Sequence, residues 1–227
     1  MKNLKNRLYT VSTLVPRGAR VADIGTDHGH LPIYLIQQGI SPFCLACDIK
    51  EKPLQSAKEN IEKVGLQNIE TRLGPGLLPV LPDEVDCITV AGMGGEVIAS
   101  ILEDSPWVRN ERYTLILQPM TSADALHRYL CEKGFSIEKE IACAENRKVY
   151  TVMLVRFSGE CFRPSEVFCR IGRLSPDTPA AVKYIEKQIR IAEELTADRR
   201  AAGLDTEEYD DILAKLLEIL DKQSTER

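Results

Sequence analysis

The chain has 227 residues, of which 44% are hydrophobic and 28% charged, enough apolar material for one large domain or a domain with an appendage. No apolar run approaches the ~20 residues that a membrane span needs. The charged start, Met1 to Arg7, is not followed by the apolar stretch of a secretory signal, so a cytoplasmic protein with no membrane partner is expected. The net charge of −5 does not advertise a nucleic-acid binder. The seven cysteines read as small buried hydrophobes of a reducing compartment.

The distribution of charge says more than its sum. Lys2, Lys5, Arg7, Arg17 and Arg20 all precede the first acid, Asp23. Lys5, Arg7 and Arg17 are candidate phosphate contacts, although charge alone equally describes a solvated first helix. From 21 onward, apolar runs alternate with helical patterns. A short strand over 21–25 leads to a helix over 31–38, with Gly39 suited to its C-terminal cap. A strand over 43–48 contains Cys44 and Cys47. Residues three apart on a strand face opposite sides, so this Cys-x-x-Cys is expected to be core rather than a metal or redox pair. Leu54, Ala57, Ile61 and Val64 recur at helical spacing over 52–64, with Gly65 as the stop. Strands over 69–73 and 86–90, a helix over 95–102, a strand over 113–117 and a helix over 122–132 continue the alternation. Two strands, 135–143 and 149–157, then follow without a helix between them. The pattern predicts a mostly parallel sheet with helices on both faces, closed by an antiparallel hairpin.

After Ser158 the organisation changes. Pro164, Pro176 and Pro179 punctuate a transition, and Pro179 suits the first turn of a helix. Val182, Ile185, Ile189, Ala192 and Leu195 form one apolar stripe. After Ala202-Gly203-Leu204, a second stripe runs through Tyr209, Ile212, Leu213, Leu216, Leu217 and Leu220. Asp205 and Glu208 are spaced as a capping box. The expectation is a helical hairpin packed as a short coiled coil, giving a catalytic domain over 1–158 and an appendage over 159–227. The appendage has more acidic than basic residues, so it is not a simple phosphate-binding arm.

Chemistry concentrates in Asp23-Ile24-Gly25-Thr26-Asp27-His28-Gly29-His30, at the carboxyl end of the first strand, where open α/β sheets bind ligands. Gly25 lets the chain turn and a ligand approach the backbone. Asp48 ends the next strand, where an acid can accept hydrogen bonds from ribose hydroxyls. A dinucleotide site would show G-x-G-x-x-G, whereas Asp27 stands between Gly25 and Gly29. A carboxylate there repels a pyrophosphate and suits a cationic or zwitterionic ligand, which favours S-adenosylmethionine over NAD. A metal site built on His28 and His30 is the competing reading, but His127, the remaining histidine, falls in a distant predicted helix, so no metal is expected. Ala91-Gly92-Met93-Gly94-Gly95 allows close passage beside a ligand, with Met93 as a soft apolar contact; a plain tight turn is the alternative. Leu117-Gln118-Pro119-Met120 ends the fifth strand, and the Gln118 amide is a candidate reader of a base edge.

These segments resemble the bacterial tRNA (adenine-22-N1)-methyltransferase family, known as TrmK. The likeness rests on Asn6-Arg7-Leu8, Ala22-Asp23-Ile24-Gly25-Thr26-Asp27-His28 with Leu31-Pro32, Ala91-Gly92-Met93-Gly94-Gly95 and Leu117-Gln118-Pro119, and its layout extends over the C-terminal hairpin. The resemblance implies a Rossmann-like class I methyltransferase sheet and methyl transfer from S-adenosylmethionine to N1 of an adenine in tRNA. It puts Gly25, Asp27, Asp48, Gly92 and Met93 in the cofactor site. Asp23, Ile49 after Asp48, and Gly74 after the third strand complete that expected set. Asp27, His28 and Gln118 are expected at the target base. The chain departs from the family pattern at Gly74-Pro75-Gly76, Met120 and His30. A small-molecule methyltransferase and a non-catalytic RNA-binding protein on the same fold are the alternatives. A monomer or weak homodimer is expected.

Overall fold

The computed structural model describes Leu4 and residues 6–221. Lys2 and Lys5, two of the basic residues ahead of Asp23, lie outside the described residues. Seven strands form one sheet in the order β3-β2-β1-β4-β5-β7-β6: β1 (Val21–Ile24), β2 (Cys44–Asp48), β3 (Ile69–Leu73), β4 (Cys87–Gly94), β5 (Thr114–Thr121), β6 (Phe135–Glu145) and β7 (Lys148–Phe157). The first five are parallel, and β7 inserts antiparallel between β5 and β6. The chain winds outward through β1, β2 and β3, then crosses to start again at β4 on the other side of β1. That reversal leaves a crevice at the carboxyl ends of β1 and β4, where ligands bind in folds of this type.

Helices cover both faces, and strand alternation decides which side chain meets which layer. Ala22, Ile24, Leu45, Cys47, Ile88, Val90, Leu115 and Leu117 pack with Ile98 and Leu102 of α4 (Gly95–Glu103) and Leu126 and Leu130 of α5 (Ala123–Glu132). Val21, Cys44, Ala46, Cys87 and Ile116 face the other way, onto α1 (Asn6–Leu14), α2 (His30–Gln37) and α3 (Glu51–Lys63). Cys44 and Cys47 are thus both buried but on opposite faces of β2, and both thiols are free.

β4 and β5 outrun the sequence pattern furthest. β4 continues through Gly94 and β5 through Thr121, because they stay paired past two register shifts, with Met93 opposite Pro119 and Gly94 opposite Thr121. Bulges of this kind re-aim side chains at sheet rims. Gly95, which follows, has no room for a side chain, since a Cβ there would overlap the Ser122 carbonyl. The β4–α4 and β5–α5 junctions are packed backbone to backbone.

After the sheet, the proline-punctuated transition contains a helix that the sequence pattern did not disclose. This is α6 (Glu166–Ile171), capped by the Ser165 hydroxyl, which accepts from the Phe168 amide. Then α7 (Pro179–Ala201) starts with Pro179 in its first turn and the Thr178 hydroxyl as cap. It pairs with α8 (Glu207–Asp221) through Ile185, Ile189, Ala192, Ile212 and Leu216, which with Ile171 form their own core. The Asp205–Glu208 capping box is replaced. Asp205 accepts from the Glu207 amide two residues on, in a short Asx-type turn, and the Thr206 hydroxyl donates to Asp210. The hairpin is not free-standing: Ala181 and Tyr184 of α7 bury with Ala142 of β6 and Leu174.

Behind that contact lies a buried polar node. The His127 ring, fully buried, sets Nδ1 2.7 Å from the Cys169 carbonyl and Nε2 2.9 Å from a Glu140 oxygen. Both partners accept, so both ring nitrogens must carry protons and the imidazole is held as a cation beside the carboxylate. Glu140 also accepts from the Thr151 hydroxyl at 2.6 Å and the Arg173 amide at 2.8 Å. This node ties α5, the β6–β7 pair and the segment leading to α7 together.

Candidate active site

The loops after β1, β2 and β4 converge at one rim of the sheet. Asp23, the penultimate residue of β1, is 5% exposed. Its carboxylate accepts from the Thr89 hydroxyl at 2.7 Å, across the β1–β4 pair. Burial pushes its pKa up to about 6, against the opposing hydrogen bond from Thr89. The neighbouring Asp48 carboxylate adds to the rise and the Arg7 guanidinium opposes it. Asp48 accepts the Lys50 amide at 2.9 Å with one oxygen and the Asp27 amide at 3.2 Å with the other. Each oxygen keeps a lone pair for a hydroxyl. The bond from Asp27 fixes the loop after β1 against the loop after β2, which no local sequence signal announces.

Gly25 has φ +73, and a Cβ on it would overlap the Met93 methyl. Gly25 and Met93 are therefore in direct contact, glycine supplying the space and methionine the apolar cover. Ile49 follows Asp48 with its side chain 63% exposed, an apolar surface open to solvent beside the acid. Gly74 closes the same edge, its amide donating to the Asp48 carbonyl at 3.0 Å. Asp27 adopts a left-handed backbone, φ 55, which aspartate tolerates better than most residues. The Asp27 side chain is 69% exposed, with an oxygen 3.5 Å from Nε2 of His28, itself half exposed. The His30 ring lies 5.6 Å from that of His28. Both Asp27 and His28 thus stand at the mouth, open to a substrate. Among the described residues, no group of three or more His, Cys, Asp and Glu gathers as a metal site.

Three expected roles change. Gln118 is fully buried, so it does not face a base. Its oxygen takes the Arg7 guanidinium at 2.7 Å and the Gly92 amide at 3.0 Å, and its nitrogen donates to the Pro119 carbonyl at 2.7 Å. The amide is fully engaged, and Gln118 positions the Gly92 loop. Arg7 is correspondingly not a solvent-facing phosphate contact. Its guanidinium is 15% exposed, bonded to Gln118 and 3.5 Å from Glu145. Strand alternation explains why: Gln118 lies two positions beyond Ile116, which faces α1, so α1 delivers Arg7 onto it. Arg17 is exposed but precedes β1, next to Gly18, whose amide donates to the carbonyl of Ile40 just before β2. That is the amino-terminal rim of the parallel strands, opposite the site. Lys5 lies outside the described residues.

The donor set fits S-adenosylmethionine better than a dinucleotide. The crevice offers a buried carboxylate, a ribose-type acid, an exposed isoleucine and a glycine under a methionine. Fold and pocket together define a Rossmann-like methyltransferase. Residues 4–153 match the family model described as "Methyltransferase domain". The chain is 38% identical over 152 residues to the Bacillus subtilis (strain 168) tRNA (adenine(22)-N(1))-methyltransferase, covering 66% of this chain and 64% of that one. A candidate tRNA (m1A22) methyltransferase of Streptococcus pneumoniae, solved in complex with S-adenosyl-L-methionine, superposes with TM-score 0.81 at 33% identity, covering 94% of this chain and 98% of that one. The Bacillus subtilis M1A22 tRNA methyltransferase TrmK superposes with TM-score 0.80 at 29% identity, with 97% of each chain covered. The chain belongs to the bacterial tRNA (adenine-22-N1)-methyltransferase family.

Proposed function

We propose that this protein transfers a methyl group from S-adenosylmethionine to N1 of an adenine in tRNA, adenine 22 by its family, in the cytoplasm and as a monomer or weak homodimer. Residues 1–158 carry the catalysis and 159–227 form the appendage. The observation that carries the reading is the convergence of Asp23, Asp48 and the Gly25–Met93 contact in one crevice, with the Asp27 carboxylate exposed at its mouth. Asp48 would hold the ribose, Ile49 and Gly74 the adenine of the cofactor, and Asp23 its ammonium end.

The cofactor supplies an electrophilic methyl on a sulfonium. N1 of adenine carries an in-plane lone pair, so no base need deprotonate it first. The chain's work is to receive a base drawn out of its stack and to hold N1 in line with the methyl. It must also stabilise the positive charge that grows on the ring. Asp27 is suited to that stabilisation, because its carboxylate can accept from the exocyclic amine, and a fixed anion is worth more as the ring becomes cationic. His28 beside it can line the base pocket.

The test is methylation of unmodified bulk tRNA followed by nucleoside mass spectrometry, with single-turnover rates for Asp27→Asn. The expected product is 1-methyladenosine, and the variant should slow by roughly 100-fold or more. Absence of methyl from adenine would refute the substrate. An unchanged single-turnover rate would remove Asp27 from the mechanism.

A further inference from the structure

A cavity of about 150 Å³ lies between the end of β5, the start of β7 and helix α7. One wall is Thr121-Ser122-Ala123, the continuation of the strand that carries Gln118. From Gln118 to Thr121 is roughly 10 Å along a strand. The opposite wall holds Arg170 of α6 with Lys187 and Gln188 of α7.

The cations there are poorly compensated. Nε of Arg170 is buried and has no hydrogen-bond acceptor. Neither Arg170 nor Lys187 makes an ion pair among the described residues, and Asp124, the carboxylate in the lining, is exposed and pairs with neither. The Lys187 ammonium lies 5.8 Å from the centre of the Tyr184 ring. Its pKa is lowered by burial and then by the like charge of Lys148, the exposed first residue of β7. The amino end of α5 opens into the same space. Its cap, Ser122, has a left-handed backbone and makes no side-chain bond to the first turn, so the leading amides remain available. A buried guanidinium nitrogen without an acceptor, a second cation in the same lining, and open helix amides describe a site preorganised for an anion.

We propose that this cavity seats a backbone phosphate of the RNA substrate, held by Arg170 and Lys187 against the amino end of α5. The seat rests on the tRNA reading above and extends it: the appendage and the catalytic strand end grip the nucleotides beside the target base together. That gives the acidic appendage a local cationic face where it meets the catalytic rim.

The test uses the full chain and unmodified tRNA. Equilibrium binding is measured across a salt series for the parent, for the double variant Arg170→Gln with Lys187→Gln, and for Lys183→Gln, an exposed cation of α7 outside the cavity. Loss of one phosphate contact should flatten the log–log salt dependence by about 0.7–0.9. The double variant should also bind tRNA at least about tenfold more weakly at low salt. Its KM for tRNA should rise while kcat, S-adenosylmethionine affinity and melting temperature hold. Arg170→Lys with Lys187 intact should recover part of the slope, and Lys183→Gln should match the parent. A double variant with the parent's affinity and slope would overturn the seat alone. A parent that neither binds nor methylates tRNA would overturn the reading beneath it as well.

Discussion

Replacing Asp23 by Asn separates what this carboxylate costs the fold from what it gives the site. The group is 5% exposed, and its pKa stands near 6 against 3.8 when solvated. The gap of about two pKa units corresponds to about 3 kcal/mol between the two protonation states. Its sign follows from which form the fold prefers. Below the unfolded value the acid is neutral in both states and burial carries no charge penalty. As pH rises through about 6 the folded protein must hold a buried anion, and stability falls. Asn cannot ionise, and its carbonyl can still accept from Thr89, which donates to Asp23 at 2.7 Å. Cofactor-free Asp23→Asn should therefore equal the parent near pH 4 and exceed it by up to about 3 kcal/mol at pH 7 to 8. That is a rise of about 1 M or more in the urea midpoint. With Asp23 holding the cationic end of the ligand, as proposed, added S-adenosylmethionine should stabilise the parent more than the variant. Urea unfolding followed by circular dichroism at several pH values reads both effects. A midpoint difference that does not change between pH 4 and 8 would refute the argument.

Two further perturbations test the corrections made by the fold. His127→Leu leaves Glu140 buried without its cation, a change expected to cost about 3–5 kcal/mol and to lower the melting temperature by about 6–20 °C. Burial opposes the charge on His127, yet the Glu140 carboxylate and the hydrogen bonds prevail and raise its pKa. The stabilisation is therefore complete below the unfolded value of 6.5 and is lost as pH climbs through the higher folded value; a parent–variant gap that widens toward alkaline pH would contradict this. Arg7→Ala should leave the salt dependence of tRNA binding unchanged, since the guanidinium is occupied by Gln118 and Glu145. Turnover should fall as the Gly92 loop loosens, and a salt dependence flattened by about one unit would restore Arg7 as a phosphate contact.

The alternation of strands and helices was legible because each element writes its own period into the sequence. β3 appears with the bounds that its pattern implies, and the switch from alternation to a β6–β7 hairpin is visible as two strands with no helix between them. The limits of β4 and β5 were not legible. Their last residues, Gly92 to Gly94 and Gln118 to Thr121, are strand only because they pair with each other. α6 was hidden for a related reason: six residues are too few for a periodic signal, and its stability comes from packing Cys169 and Ile171.

The same division runs through the site. By itself the sequence determined which residue types crown the strands: Asp23, Gly25 and Asp27 after β1, Asp48 after β2, and Gly92 and Met93 after β4. These are local consequences of where a strand ends and a turn must form. Only the tertiary structure decided which way the partners point. It turned Gln118 inward to take Arg7 from 111 positions away, joined His127 to Glu140, and brought Arg170 of α6 and Lys187 of α7 beside the end of β5. The physical reason is that a side chain's chemistry depends on whether it is solvated. Solvation is set by contacts between segments that carry no mark of each other in the linear chain.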